Sequence, residues 1–219
     1  VVSNYIKKYI IDNYKINNDK IFLIYPSINF SEIDKLKITS NPYIDINKKI
    51  IVTIGRLSEQ KNHKLLIKSF ANVKKLIDCN LVIIGNGKIK DSLLKIIDNY
   101  NLKKSINIIE KVDNPYPYLY YADLFVLSSK WEGFGLVLIE ALACNLKTIS
   151  TDCPGSPKEI LADLNAALLT KNNDQDELTK SIIFMMNKNK SKLNFNREHL
   201  EKNFSINKHV NSYINIIIN

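Results

Sequence analysis

Short, near-continuous apolar runs punctuate the middle of the chain at Ile50–Ile54, Leu81–Ile84, Ile106–Ile109, Leu124–Leu127 and Thr148–Ser150. Val, Ile and Leu follow one another in these runs rather than alternating with polar residues, as in strands covered on both faces. Between them the period changes to that of a helix: His63–Ile77 places Leu66, Phe70, Val73 and Ile77 on one face, and Gly135–Cys144 forms a second such segment. Strands that alternate with helices predict repeated βαβ units, hence an α/β fold with a doubly wound parallel sheet. The ends read differently. Val1–Asn13 is an amphipathic helix, Ile21–Tyr25 a strand leading into Pro26, and Asn29–Lys49 a polar linker. Asp174–Asn187, Ser191–Asn203 and Ile206–Ile218 read as helices, with Asn187–Lys192 a polar hinge. The expected organisation is a remnant of a preceding domain over 1–30, a linker over 31–49, the sheet domain over 50–190 and C-terminal helices over 191–219.

The six glycines, Gly55, Gly85, Gly87, Gly133, Gly135 and Gly155, each stand at or shortly beyond the end of one of these runs. In an open parallel sheet, ligands bind in the crevice beyond the carboxyl ends of the strands, where glycine lets backbone approach a ligand. The glycines therefore outline the expected site.

Composition narrows the function classes. The 219 residues, 45% hydrophobic and 24% charged, are those of a globular chain, and no stretch has the roughly 18 consecutive apolar residues of a membrane span. Cys79, Cys144 and Cys153 sit in or beside apolar runs with no metal-ligand spacing, which predicts inert thiols in a reducing compartment and a cytoplasmic protein. A net charge of +9 permits an anionic partner, but Arg56 and Arg197 are the only arginines. Lysine dispersed over helix surfaces argues against nucleic acid.

The densest constellation is the segment Trp131-Glu132-Gly133-Phe134-Gly135-Leu136, continuing through Glu140 to Leu142 and directly following the run Leu124–Leu127. Glycines ahead of a helix N-terminus present unbonded N–H groups to an anion, and the helix dipole adds positive charge; a diphosphate would fit. Like charge bars Glu132 and Glu140 from binding phosphate, so their expected role is to accept hydrogen bonds from sugar or ribose hydroxyls. Glu140 lies in an otherwise apolar helix, where a carboxylate without a partner is costly. Arg56, at the end of the first strand, and Lys61, at the start of the next helix, are placed to converge on one diphosphate. Trp131 reads either as a core filler or as a wall of the sugar pocket. Tyr116, Tyr118, Tyr120 and Tyr121 read as helix packing, with base stacking the alternative, and nothing pairs His63 with a nucleophile or metal.

Glu132 to Glu140 resembles the E-x(7)-E motif of glycosyltransferase family 4, the retaining nucleotide-sugar transferases of GT-B fold. Gly55-Arg56-Leu57 with Lys61-Asn62 resembles the family's GRL and KG signature, with Asn62 in place of glycine. Gly85-Asn86-Gly87 resembles its G-x-G turn, and Lys111-Val112 the position where backbone contacts the base. Gly155 to Ile160 resembles its G-x-x-E-x-I loop with Glu159 offset by one, and Tyr25-Pro26-Ser27-Ile28-Asn29 loosely resembles the Y-N-G-V-D exit of its first domain.

The resemblance implies a Rossmann-like domain, the C-terminal half of a GT-B fold, that binds a nucleotide-sugar donor without metal or other cofactor and transfers the sugar with retention to a glycan or lipid-linked acceptor. Glu132, Arg56 and Lys61 would be the catalytic set. Gly55, Gly85, Gly87, Val112, Gly133, Phe134, Gly135, Leu136 and Glu140 would bind the donor. It further implies that the acceptor-binding N-terminal domain is missing, that this span binds nucleotide but turns over poorly alone, and that the last helix crosses back toward that domain. Peripheral association with the cytoplasmic face of a membrane stays open. So does a non-catalytic nucleotide-binding module of the same fold. A nicotinamide-dependent oxidoreductase needs G-x-G-x-x-G after the first strand, and Gly55-Arg56-Leu57-Ser58 lacks it.

Overall fold

The computed structural model describes residues 1–43, 45, 47–162, 164–189 and 193–218. Parts of the expected linker and of the expected hinge and helix around 187–203 lie outside the described residues.

The strands β1 (Lys49–Ile54), β2 (Cys79–Ile84), β3 (Ile106–Ile109), β4 (Leu124–Leu127), β5 (Thr148–Asp152) and β6 (Ala167–Lys171) form one parallel sheet in the order β3-β2-β1-β4-β5-β6. The expected doubly wound α/β architecture is therefore present. Side chains within each run alternate between two cores. Ile50, Val52, Val82, Ile84, Phe125 and Leu127 pack on one face, and Ile51, Leu81, Ile83, Leu124 and Val126 on the other. Both faces are dry, which accounts for the near-continuous apolar runs.

Helices α3 (His63–Lys74), α4 (Lys90–Asn99) and α8 (Gln175–Asn187) contribute to the second core. The first core takes residues from α2 (Phe30–Leu36), α5 (Tyr116–Tyr120), α6 (Leu136–Ala143), α7 (Pro157–Leu161) and α9 (Arg197–Phe204). The remaining helices are α1 (Asn4–Tyr14) and α10 (Ile206–Ile218), and neither contains a buried residue. Among the described residues no helix is long and apolar enough to cross a membrane. The chain leaves β1 for β2 and β3 on one side, then returns to build β4 beside β1, so the strand order reverses between β1 and β4. A crevice at such a switch point is where open α/β sheets bind ligands.

The structure corrects the reading of the N-terminal part. Ile21–Tyr25 is not a strand of the sheet. Its backbone bonds are scattered rather than laddered: Ile24 N–H to the Val1 carbonyl, the Val1 amino group to the Phe22 carbonyl, Ile21 N–H to the Asn18 carbonyl, and the Tyr25 carbonyl to His209 Nδ1. Without a neighbouring strand no ladder can propagate, and its apolar residues are used at helical-like spacing, with Ile21, Ile24 and Ile28 buried and Phe22 exposed. The stretch expected to be a linker contains α2. Asn29 caps it by accepting the Glu32 N–H at 3.2 Å, and Phe30 and Ile33 are buried. Arg197 then fastens α9 to this helix, bonding Asp34 at 2.7 Å with its guanidinium 4.6 Å from the centre of the Phe30 ring. The strand β6 was not anticipated at all.

Because Ile33 is fully buried, its replacement by alanine is expected to cost about 2–4 kcal/mol in urea denaturation, whereas a residue in a solvated linker would give a near-neutral result.

Candidate functional site

Two loops meet at the switch point, one leaving β1 and one leaving β4. The β1 loop is seated by the loop after β2: Gly55 N–H bonds the Ile84 carbonyl at 2.9 Å and Leu57 N–H the Asn86 carbonyl at 2.8 Å. A side chain at position 85 would put its Cβ 2.0 Å from the Gly55 carbonyl oxygen, so glycine is required there by loop packing on loop. Arg56 is exposed, and its guanidinium has no hydrogen bond or ion pair among the described residues. The Arg56 carbonyl is held from behind by His63 Nε2 at 3.2 Å. His63 is 1% exposed, and burial pushes its imidazole down to about pKa 4, so it is neutral and donates from Nε2. A neutral, enclosed imidazole with its Nδ1 unpartnered acts as a brace and has no access to substrate.

The β1 and β4 loops are stitched together across the crevice. Lys61 Nζ lies 2.5 Å from Glu132 Oε1, the two side chains being 16% and 5% exposed. The same oxygen accepts the Ser129 hydroxyl at 2.5 Å. Around this pair Ser128 Oγ donates to the Lys61 carbonyl at 3.0 Å, Lys130 N–H to the Gln60 carbonyl at 2.7 Å, and Gln60 Nε2 to the Trp131 carbonyl at 2.9 Å. The stem of Lys61 runs over Gly55, where a Cβ would come within 3.3 Å of it. Ser128, Ser129 and Gln60 were not anticipated as site residues; the signal was a pair of small hydroxyl residues at the end of an apolar strand.

Beyond Glu132 the loop turns into α6. Glu132 N–H is bonded to the Pro154 carbonyl, and Ser156 Oγ donates to the Gly133 carbonyl at 3.1 Å. Gly135, at φ +89°, makes the left-handed step into the helix. None of the N–H groups of Gly133, Phe134, Gly135, Leu136 and Val137 finds an acceptor among the described residues, no side chain caps α6, and its first turn holds no acidic residue. A Cβ at Gly133 would meet nothing within 4 Å, so the loop is open there. Consecutive unbonded amides at a helix N-terminus form an anion site. Two turns on, the Glu140 carboxyl is held above the usual carboxylate range by burial and has no charged or hydrogen-bonding partner among the described residues. The partner that its apolar surroundings demand is not supplied by the described chain.

The other anticipated residues are placed as follows. The Phe134 ring is buried against Tyr25 and Phe204, so only its backbone faces the loop opening. Leu136 is exposed at the helix start, and Val112 packs half-buried against the first core. A side chain at Gly87 would run into the Leu57 carbonyl, as at Gly85. Trp131 is 50% exposed and is no core filler, while the tyrosines of α5 and its flank pack on the first core, with Tyr43 Oη bonded to the Tyr118 carbonyl at 2.6 Å. The three cysteines are free and buried. Among the described residues no group of three His, Cys, Asp or Glu side chains is gathered. A separate cavity of about 280 Å³ lies at the opposite, amino ends of β1, β2 and β3, lined by Tyr43, Asn80 and Lys104 among others. It holds none of the loops described above; the unbonded amides and the cations are gathered at the crevice over β1 and β4.

The depressed His63 pKa has a sign. The unfolded chain takes up a proton below about pH 6.5 and the folded chain only near pH 4, so stability is lost as pH falls through that window, by at most about 1.4 kcal/mol per pH unit. His63→Gln keeps a donor to Arg56 and should flatten the difference in urea midpoint between pH 7 and pH 4.5; an unchanged pH dependence would contradict the assignment.

Residues 34–202 match the family model for glycosyl transferases group 1. A Campylobacter jejuni N-acetylgalactosamine-N,N'-diacetylbacillosaminyl-diphospho-undecaprenol 4-alpha-N-acetylgalactosaminyltransferase is 32% identical over 181 residues, covering 83% of this chain and 48% of that protein. The chain thus spans about half the length of that relative. Among solved structures, a glycosyltransferase from Rickettsia africae superposes with a TM-score of 0.87 at 23% identity, over 98% of this chain and 61% of the other. A point mutant of S. aureus TarM, solved with fondaparinux, alpha-GlcNAc-glycerol and UDP, gives 0.83 at 23% identity, over 99% and 43%. These structures share the parallel-sheet fold. With the family model covering most of its length, this chain belongs to the glycosyl transferases group 1 family.

Proposed function

We propose that this chain holds the nucleoside diphosphate of a sugar donor at the β1–β4 switch point and serves a retaining, metal-independent transfer of the sugar to a glycan or lipid-linked acceptor. The observation that carries this reading is the run of unbonded amides from Gly133 to Val137 in a crevice whose other wall bears Arg56 and Lys61. A departing nucleoside diphosphate gains negative charge as the bond to the anomeric carbon breaks, and fixed donors and cations in a cleft stabilise that charge without reorganising. Arg56 has its full set of guanidinium donors available for phosphate oxygens. Lys61 gives one of three ammonium protons to Glu132 and keeps the others for the ligand. Glu140 accepts from the ribose hydroxyls, which satisfies its isolated carboxylate. Glu132 fixes Lys61 and, through a shift of that pair on donor binding, reaches the sugar hydroxyls.

A lipid-linked acceptor is suggested by the diphospho-undecaprenol in the name of the Campylobacter relative, and a uridine nucleotide by the UDP bound to TarM. Since the relatives extend well beyond the matched span, acceptor binding is assigned to the rest of such a protein and turnover by this span alone is expected to be weak.

Calorimetric titration with UDP, GDP and ADP in chelator tests the reading. One nucleotide should bind, and Arg56→Ala should weaken it by about 10–100-fold, the equivalent of a lost charge-assisted hydrogen bond pair. Glu140→Ala should weaken the nucleotide by about tenfold while leaving inorganic pyrophosphate unaffected, because the carboxylate answers to ribose and not to phosphate. Binding of no nucleotide by the folded chain would overturn the proposal.

A further inference from the structure

Glu159, the third residue of α7, has its carboxylate engaged by the N-terminal segment. Its Oε2 accepts Asn4 N–H at 3.1 Å, Asn4 Nδ2 at 3.0 Å and the Tyr25 hydroxyl at 3.0 Å, and its Oε1 accepts Tyr5 N–H at 3.1 Å. Two of these donors are first-turn amides of α1, so a carboxylate 155 positions away along the chain supplements the Ser3 cap of that helix.

Two routes lead from this carboxylate to the phosphate loop. One passes through Tyr25, whose ring centre lies 5.6 Å from that of Phe134, in the middle of the unbonded amides; Phe204 of α9 closes the group at 5.8 Å from Phe134. Burial and the bond to Glu159 push the Tyr25 phenol up to about pKa 12, so it remains a donor at any physiological pH. The other route runs back along the chain from α7. Ser156 Oγ bonds the Gly133 carbonyl, the Pro154 carbonyl bonds Glu132 N–H, and Gly155 lies so close to the Glu132 carbonyl that a Cβ would stand 2.1 Å from its oxygen. The phosphate loop is thus gripped on both sides by groups that share one anchor. That anchor can let go: α1 buries no residue and exposes Tyr5, Tyr9 and Tyr14, so its seating rests on few contacts and belongs to the low-stability end of the molecule.

We propose that Glu159 and Tyr25 are positioning residues which couple the seating of residues 1–25 to the conformation of the loop Glu132–Leu136, so that seating the segment and binding diphosphate favour each other. The functional half of this statement rests on the donor site proposed above; the structural half does not. Coupling is reciprocal: nucleotide tightens α1, and loosening α1 weakens nucleotide.

The test uses the whole chain, with E159A, E159Q and Y25F, the last keeping the ring on Phe134. L178A, in α8 on the other face of the sheet, serves as a destabilised control. Without nucleotide, E159A and Y25F should shift the amide cross-peaks of Gly133 and Gly135 and the emission of Trp131, the chain's one tryptophan, whereas L178A should not. With the nucleotide that binds, E159A should weaken affinity about tenfold and Y25F about threefold, with E159Q between them, as expected for loss of part or all of a charge-assisted set. In the wild type the same nucleotide should slow amide exchange across Lys7–Tyr14, and E159A should abolish that protection. If the loop peaks and affinity are unchanged in folded E159A and Y25F while α1 alone exchanges faster, Glu159 is a helix cap only and the proposal fails. If no nucleotide binds the wild type yet the loop peaks move in the variants, the donor reading fails and the coupling stands.

Discussion

The ion pair between Lys61 and Glu132 is the contact on which the site depends. It joins two loops that are 71 residues apart in sequence and are neighbours only because β4 is laid beside β1. At 5% exposure the Glu132 carboxylate is compensated by that ammonium and by the Ser129 hydroxyl beside it. Removing either member leaves an uncompensated charge at the floor of the crevice. The pair also fixes a ligand-free geometry in which one cation is internally neutralised and the other, Arg56, is exposed to solvent. On the proposed reading, an incoming diphosphate would meet an unpaired guanidinium and a row of amides, and would compete with Glu132 for only part of the Lys61 ammonium.

This arrangement separates two kinds of glycine and two kinds of carboxylate. Gly85 and Gly155 are required by close packing of one loop on another, whereas Gly133 borders open space. Glu132 is paired inside the chain through its Oε1, with Lys61 and Ser129, and Glu159 through both oxygens, with α1 and Tyr25. Glu140 has no such partner among the described residues, so its half-buried carboxyl keeps its cost of desolvation uncompensated.

Strands β1 to β5 were legible because burial on both faces leaves little room for polar residues. β6 was not, since its apolar stretch, Ala167-Leu168-Leu169 after Ala166, contains no Val or Ile, whereas each of the other runs does. Charged residues Glu32, Asp34 and Lys35 hid α2, although Asn29 with Glu32 three residues on was a readable N-cap signal. Ile21–Tyr25 had the composition of a strand but no neighbour to pair with. Within the site, the isolation of Glu140 could be read from its apolar helix, and the open run of unbonded amides from two glycines ahead of a helix. The pairing of Lys61 with Glu132 and the capture of Glu159 by α1 are set by which elements become neighbours, a non-local fact that no local pattern carries.

The most direct measurement is the amide chemical-shift response of the chain to the nucleoside diphosphate it binds, recorded in the presence of chelator. The account predicts that the largest changes fall on Gly133 through Val137, followed by Arg56 and its neighbours, with little change near Asn80 and Lys104 at the amino ends of the strands. Changes concentrated at that opposite cavity, or an unmoved Gly133–Val137 segment in a saturated sample, would contradict it.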